Sequence, residues 1–472
     1  MTSTELCQLT ACQQKTRFDR GQTSAAELLE AHLRQIEQVN PDINAVITLN
    51  AEAALEQAFV IDRKKADREP LGPLAGLPMA HKDLTLTKGM RTTFGSPRFK
   101  DYIPSEDSEL VRRLRNANAV TLGKTNTPEW GAGSQTFNTL FGATRNPFDP
   151  TKTSGGSSGG AAAALAARML PLCDGSDLGG SLRNPASFCH VVGLRPSPGR
   201  VSSLPTNSPW NDLSVVGPMA RTVDDCALLL SAIAGPDARS PISIDEPGDQ
   251  FFPITPLDTK HVRVAFSPDF DGQFPFQSEV ISATKSAEAM LLEAGCQVTS
   301  TCIDFEGADK AFETLRSISF HARHKAGIAD HPDQYKDTVK WNAAQAERLS
   351  AEDIREALSL RSALGMRCAA FFEHFDFLVA PVAQVLPFNV ETEWVTTIND
   401  TPMDNYISWM KSCYVVSLMG TPALSLPFTF SDDGLPVGLQ IVAPWGQDLR
   451  LLQFAKALER MSPHYYQSPS LL

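Results

Sequence analysis

Metal-ligand and disulfide patterns are missing from this chain. Its nine histidines include no H-x-x-x-H pair, and the closest two, His321 and His324, have the spacing of a helix surface rather than of a zinc site. No metal and no other cofactor is therefore expected. The nine cysteines are odd in number, scattered, and contain no C-x-x-C. That argues against a disulfide framework or a redox motif and leaves reduced thiols in a cytoplasmic protein as the expectation. The first residues show no basic stretch followed by an apolar one, so no secretory leader is expected. No run of 18 apolar residues occurs, which argues against a spanning helix. Positive charge is in deficit: 42 Lys and Arg against 54 Asp and Glu give a formal charge of −12. Such a balance disfavours nucleic acid or an anionic membrane as partner. What remains is ordinary for a soluble globular protein. Hydrophobic residues make up 42% and charged residues 20%, and 472 residues are enough to bury a sizeable core.

What the chain does have is glycine and serine concentrated between Thr153 and Arg195. Two Gly-Gly-Ser units, Gly155-Gly156-Ser157 and Gly179-Gly180-Ser181, flank an alanine-rich stretch. A glycine pair before a serine permits a turn that side chains forbid, and it leaves N–H groups free to face a ligand. That suits a serine nucleophile beside an oxyanion hole. On glycine content alone, two flexible loops are the plainer reading. Gly155 to Gly160 also has the spacing of a phosphate loop, but Ala161 and Ala162 stand where lysine and Ser/Thr are required.

The match extends beyond glycine. The stretch resembles the signature of the amidase signature family of serine hydrolases: G-G-S-S-G-G, an alanine-rich helix, then G-S-D-x-G-G-S-[IL]-R-x-P-A. The two serines are 24 residues apart, in agreement with that pattern. A lysine belonging to it should lie upstream in a K-D dipeptide, and Gly76-Leu77-Pro78-Met79-Ala80-His81-Lys82-Asp83 supplies one. Lys124-Thr125-Asn126-Thr127-Pro128-Glu129 resembles the family's K-x-N-x-P-E segment. Gly420 to Pro427 and Gly434 to Gln440 resemble its C-terminal pattern. The resemblance implies an α/β fold with a central mixed β-sheet covered by helices on both faces. It also implies one domain over 1–472, with a more variable helical cover over the pocket at about 305–414.

Local signals fit that outline. Ser24-Ala25-Ala26-Glu27 reads as a capping box, with a helix behind it ending before Pro41. Ala45 to Leu49 and Ala119 to Leu122 read as strands, and Ala51 to Arg68 and Ser108 to Asn116 as helices. An alanine-rich helix is expected over Ala161 to Leu170 and a central strand over Met169 to Asp174. Val262 to Phe266, Ser278 to Ala294 and Cys296 to Thr299 read as a strand–helix–strand unit with parallel strands. Phe377 to Ala380 reads as a return to the sheet.

The resemblance assigns roles residue by residue. Ser181 would attack the carbonyl, Ser157 relay its proton, and Lys82 accept it. Leu178, Gly179 and Gly180, with Ser181 itself, would offer N–H groups to the oxyanion. Gly131, Ala132 and Gly133 would lie beside the reacting carbonyl, although an ordinary turn explains them equally well. Ser158, Asp177 and Arg183 would support the site, and the Gly156–Ser157 peptide bond would be cis. Lys82 must then be neutral at rest. A free lysine titrates near about 10.4, and burial can lower that by roughly 3–5 units. The apolar run before Lys82 reads as a buried strand end. The alternative is a buried ion pair with Asp83 or Asp177 and no chemical role. Leu178, Arg195-Pro196-Ser197 and His81 depart from the commonest family pattern.

The function implied is hydrolysis of a small-molecule carboxamide to a carboxylate plus ammonia or an amine. One alternative is the amidase-type subunit of a glutamine-dependent tRNA amidotransferase. The segments Phe305 to Tyr414 and Asn207 to Trp210 do not resemble that subunit. A related ester or carbamate hydrolase is another. A homodimer is left open as the assembly.

Overall fold

A computed structural model describes residues 2–462 and 467–470. Eleven strands among them form one mixed sheet. Its order is Val46–Leu49, Val120–Thr125, Pro78–Lys82, Leu172–Asp177, Val215–Ala220, Val192–Arg195, Ala423–Phe430, Pro436–Val442, Phe377–Pro381, Arg263–Phe266 and Gln297–Ser300. Pro78–Lys82 runs parallel to both of its neighbours. Lys82 therefore emerges beside the end of Leu172–Asp177. The carboxyl ends of parallel strands are where open α/β sheets bind ligands.

Helices cover both faces of the sheet, and the strand residues show it by alternation. Met79, Leu172, Val264, Phe266, Phe377, Val379, Leu439 and Ile441 belong to one apolar cluster, with helices Val223–Ile233 and Asp448–Glu459. Their sequence neighbours face the other way. Ala80 and Cys173 join the alanine-rich helix and Ala25–Ile43. Ala265, Leu378, Ala380 and Val442 join Phe312, Trp409 and Tyr414. A period of two between two covered faces is what a sheet buried on both sides produces. Among the described residues no helix is long and apolar enough to cross a membrane.

Several boundaries differ from the sequence expectation. The Ser24 capping box is present, but its helix runs through Pro41 to Ile43. Asn44, in the left-handed conformation, closes it with an N–H to the Asn40 carbonyl at 2.7 Å. The Asn40 side chain in turn accepts from Ala45 and Val46, so the polar end groups beyond the proline are satisfied. The alanine-rich helix is Gly159–Ala166 and starts earlier than expected. Its first residues touch a neighbouring backbone: a Cβ on Gly160 would lie 2.3 Å from the Asn126 nitrogen. Arg168, at φ 57°, then turns the chain, so the next strand is Leu172–Asp177 rather than Met169 to Asp174. Ser278 to Ala294 divides into Ser278–Lys285 and Ala287–Glu293. Ser286 lies at the break, its Oγ bonded back to the Ala283 carbonyl at 2.7 Å, a competitor of the helical ladder. The strands flanking that pair are parallel but not adjacent to each other alone, because Arg263–Phe266 also pairs with Phe377–Pro381. Between Phe305 and Phe377 lie three helices, Ala308–Asp330, Asp337–Ala346 and Ala351–His374, the last opened by a Ser350 capping box.

Candidate active site

Lys82 ends a strand that is buried along its whole length, and its own side chain is fully buried. Its Nζ lies 2.6 Å from Ser157 Oγ, 2.9 Å from Ser158 Oγ and 3.0 Å from Ser176 Oγ. The carboxylates that the sequence offers it are engaged elsewhere. Asp83 accepts from the Thr93 N–H at 3.1 Å. Asp174 accepts from the Thr85 hydroxyl at 3.0 Å and pairs with His81 Nδ1 at 2.6 Å. Asp177 pairs with Arg183 and Arg195. Three hydroxyls thus surround the amine, without the ion pair considered from the sequence. Burial pulls its pKa down to about 7, against the opposing pull of Asp177 and Asp174. Near neutral pH such an amine is divided between its protonated and neutral forms.

The two Gly-Gly-Ser turns meet here. The Gly156–Ser157 peptide bond is cis. The Ser158 N–H donates to the Ser181 carbonyl at 3.2 Å, tying the second turn to the first. Exposure is graded along the set: Lys82 is fully buried, Ser157 is 2% exposed, and Ser181 is half-buried. The serine open to a substrate is therefore the outermost of the three.

Asp177 builds the second turn. Its carboxylate accepts from the Gly180 N–H (2.9 Å), the Leu182 N–H (3.1 Å) and the Arg183 guanidinium (3.0 Å), all in the complete interior. Arg183 continues to Gln440 Oε1 at 2.6 Å and Ser417 Oγ at 2.7 Å. Burial pushes the Asp177 carboxyl up, but Arg183 and Arg195 outweigh it and hold it well below the usual carboxylate range. Asp177→Asn should therefore leave two buried guanidiniums without a counter-charge. Removing one partner of a buried pair typically costs about 3–5 kcal/mol. A urea-unfolding series on wild type and variant at neutral pH checks this; an unchanged midpoint would contradict it.

Gly180 is expected from the sequence to serve the oxyanion, but its N–H faces Asp177 instead. The glycine is needed for another reason: it sits at φ 115°, and a Cβ there would fall 2.5 Å from Cys413 Cβ. Among the described residues, the N–H groups of Gly179 and Ser181 donate to no protein acceptor. Leu178 is partly buried at the margin of the Phe312 and Tyr414 cluster. Of the Gly131–Gly133 loop, only the first residue meets the serines. A Cβ on Gly131 would lie 3.3 Å from Ser157 Oγ, whereas Gly133 faces the Tyr406 ring at 3.9 Å. Ala132 turns into a small apolar cluster with Phe320, Tyr335 and Val339.

Among the described residues, neither histidine near the motifs hydrogen-bonds to the serines. His81 is clamped between Asp174 and Thr121 Oγ1 (3.2 Å), and it steadies the carboxylate that accepts the Lys82 N–H at 3.3 Å. His190 packs its ring against Phe430 at 4.6 Å. Sequence reasoning missed Ser176, although it sits inside the G-S-D motif, and the roles of Asp174, Cys413 and Ser417. The last two come from a helix, Lys411–Leu418, that no local pattern ties to the serines.

The family model described as Amidase matches residues 27–452. The acylamidase of Rhodococcus erythropolis is 32% identical over 475 residues, covering 100% of this chain and 99% of its own. A glutamyl-tRNA(Gln) amidotransferase subunit of Thermosynechococcus vestitus is 34% identical over 478 residues, covering 96% of this chain and 98% of its own. The solved structure of a bacterial aryl acylamidase of the amidase signature family has a TM-score of 0.91 at 29% identity, covering 97% of each chain.

Proposed function

The chain belongs to the amidase signature family, and from that membership and the serine–lysine geometry we infer that it hydrolyses the carbon–nitrogen bond of a carboxamide through an acyl-enzyme on Ser181. The observation that carries the mechanism is the buried Lys82 amine, 2.6 Å from Ser157 Oγ, with no carboxylate paired to it among the described residues. A serine hydroxyl needs a base to become a nucleophile. Here Ser157 takes the proton from Ser181 and passes its own to neutral Lys82, while Ser181 Oγ bonds to the carbonyl carbon. The N–H groups of Gly179 and Ser181, with Leu178 beside them, face the oxygen as it gains charge. Each such donor is typically worth about 2.7–4 kcal/mol of barrier. Collapse returns the proton through Ser157 to the departing amine. A water molecule then repeats the sequence on the ester, releasing the carboxylate and restoring Ser181. Asp177 and Arg183 position the turn without touching the reacting atoms.

The amidotransferase subunit is the second reading, supported by its 34% identity over nearly the full length of both chains. It predicts dependence on partner proteins. The purified chain assayed alone against aliphatic amides, anilides, peptide amides, carbamates and glutamine separates the two. Turnover of a simple amide without a partner supports the hydrolase; activity on glutamine only, and only with partners, supports the amidotransferase. Preference for a carbamate would move the assignment to that bond. All nine cysteines are free thiols, which supports the cytoplasm as its location.

A further inference from the structure

The proton relay leaves one buried pair beside Lys82 without a role. His81 and Asp174 are both 0% exposed. The strands that carry them run parallel, with Met79 opposite Leu172 and Ala80 opposite Cys173, so the next step brings His81 level with Asp174. His81 Nδ1 lies 2.6 Å from Asp174 Oδ1. The other carboxylate oxygen accepts from the Lys82 N–H at 3.3 Å and from the Thr85 hydroxyl at 3.0 Å. With the imidazole hydrogen on Nδ1, three donors converge on Asp174, the arrangement that suits an ionised, acceptor-only carboxylate.

A buried charge is costly unless it is paired. Two carboxylates act on Lys82 against the effect of burial, Asp177 and Asp174. Asp177 is neutralised by the Arg183 and Arg195 guanidiniums. Asp174 has no guanidinium or ammonium within ion-pair distance among the described residues, only the His81 ring. Cys173 beside it is a neutral thiol, pushed well up by burial and by Asp174 itself. Lys124, on the neighbouring strand, donates to Thr87 Oγ1 at 2.7 Å, and Asp83 is the first carboxylate that acts on it. The alanine-rich helix against this strand bears no charge. The negative charge of Asp174 is therefore left to act on the Lys82 amine.

We propose that Asp174, held by His81, is a positioning residue for the catalytic base: its carboxylate fixes the Lys82 backbone and supplies the negative charge that keeps the amine basic enough to take the proton from Ser157. The proposal rests on the amidase reading, in which Lys82 is that base. Burial alone weakens an amine as a base, and a weaker base accepts a proton less readily in the transition state. Asp174 touches no reacting atom and acts through Lys82.

Asp174→Asn isolates the charge. Its amide oxygen can still accept from the Lys82 N–H and from Thr85, and its NH2 can donate to His81 Nδ1 once the ring hydrogen moves to Nε2, which faces Thr121 Oγ1 at 3.2 Å. The readout is the rate at which a fluorophosphonate labels Ser181 in the full-length protein, measured against pH, with circular dichroism on each variant. In the wild type that rate should rise through about 7. In Asp174→Asn the midpoint of the rise should move to lower pH by about half a unit or more, because the charge that favoured the ammonium is gone. The alkaline plateau should fall as well, with the weaker base. His81→Leu combined with Asp174→Leu should show the same shift, and a buried pair replaced by apolar residues commonly keeps its fold. A merely structural pair would lower the plateau or the stability and leave the midpoint where it was. An unmoved midpoint in either folded variant, or a shift to higher pH, would therefore overturn the proposal while the wild-type rise left the amidase reading standing. A wild type that does not label at Ser181, or labels at a rate flat across pH, would overturn that reading and this proposal together.

Discussion

Lys82→Met is expected to lower kcat/KM by at least about 10²–10⁴-fold, the range that general-base catalysis typically contributes. Methionine keeps most of the length and volume of the side chain, so the loss would be chemical. The pH dependence gives the same argument a sign. Burial lowers the Lys82 pKa to about 7. Below that pH the amine is protonated and cannot accept the proton that Ser157 passes on. Activity should therefore rise with pH through about 7 and level off on the alkaline side. Lys82→Arg should fail as well, because a guanidinium stays protonated in proteins. A folded Lys82→Met enzyme within tenfold of wild type, with an unchanged pH profile, would show that the proton goes elsewhere. Circular dichroism on each variant keeps loss of fold apart from loss of chemistry.

Ser181→Ala should cost more still, roughly 10⁶-fold, the order of effect seen when a serine nucleophile is removed from a hydrolase. Ser157→Ala should cost less. It removes a relay, and a water molecule placed between Lys82 and Ser181 could carry the proton in its stead. No water can replace the atom that holds the acyl group. Measured side by side on one anilide, the two variants should rank in that order. Equal losses would mean that Ser157 does more than relay, and a reversed order would exchange their roles.

Much of this arrangement was legible in the sequence because it is local. The Gly-Gly-Ser turns, the K-D dipeptide and the alanine-rich stretch each match the family pattern within a few residues. The sheet places Lys82 beside the end of Leu172–Asp177 through parallel pairing of Met79 with Leu172 and Ala80 with Cys173. What local pattern could not reveal is where hydrogen bonds are already committed. Gly180 looked like an oxyanion donor because it precedes Ser181, yet Asp177 takes its N–H. The reason is tertiary: Arg183 and Arg195 keep that carboxylate ionised, and Ser417 and Gln440 hold Arg183 from more than 230 residues away. His81, the neighbour of Lys82 and a departure from the family pattern, is likewise committed, to Asp174, 93 residues on. The segment between Phe305 and Tyr414 was the least legible part. Its helices carry no motif that ties them to the serines, and their contacts with the site segments, such as Phe312 with Tyr414 and Val339 with Ala132, join positions far apart in the chain.

The most direct measurement of the central claim is the site of covalent modification by a fluorophosphonate, mapped by mass spectrometry of the digested protein. The account predicts one adduct, on Ser181, formed more slowly in Lys82→Met and faster as pH rises through about 7 in the wild type. An adduct on Ser157 or on a cysteine, with Ser181 unmodified, would contradict it.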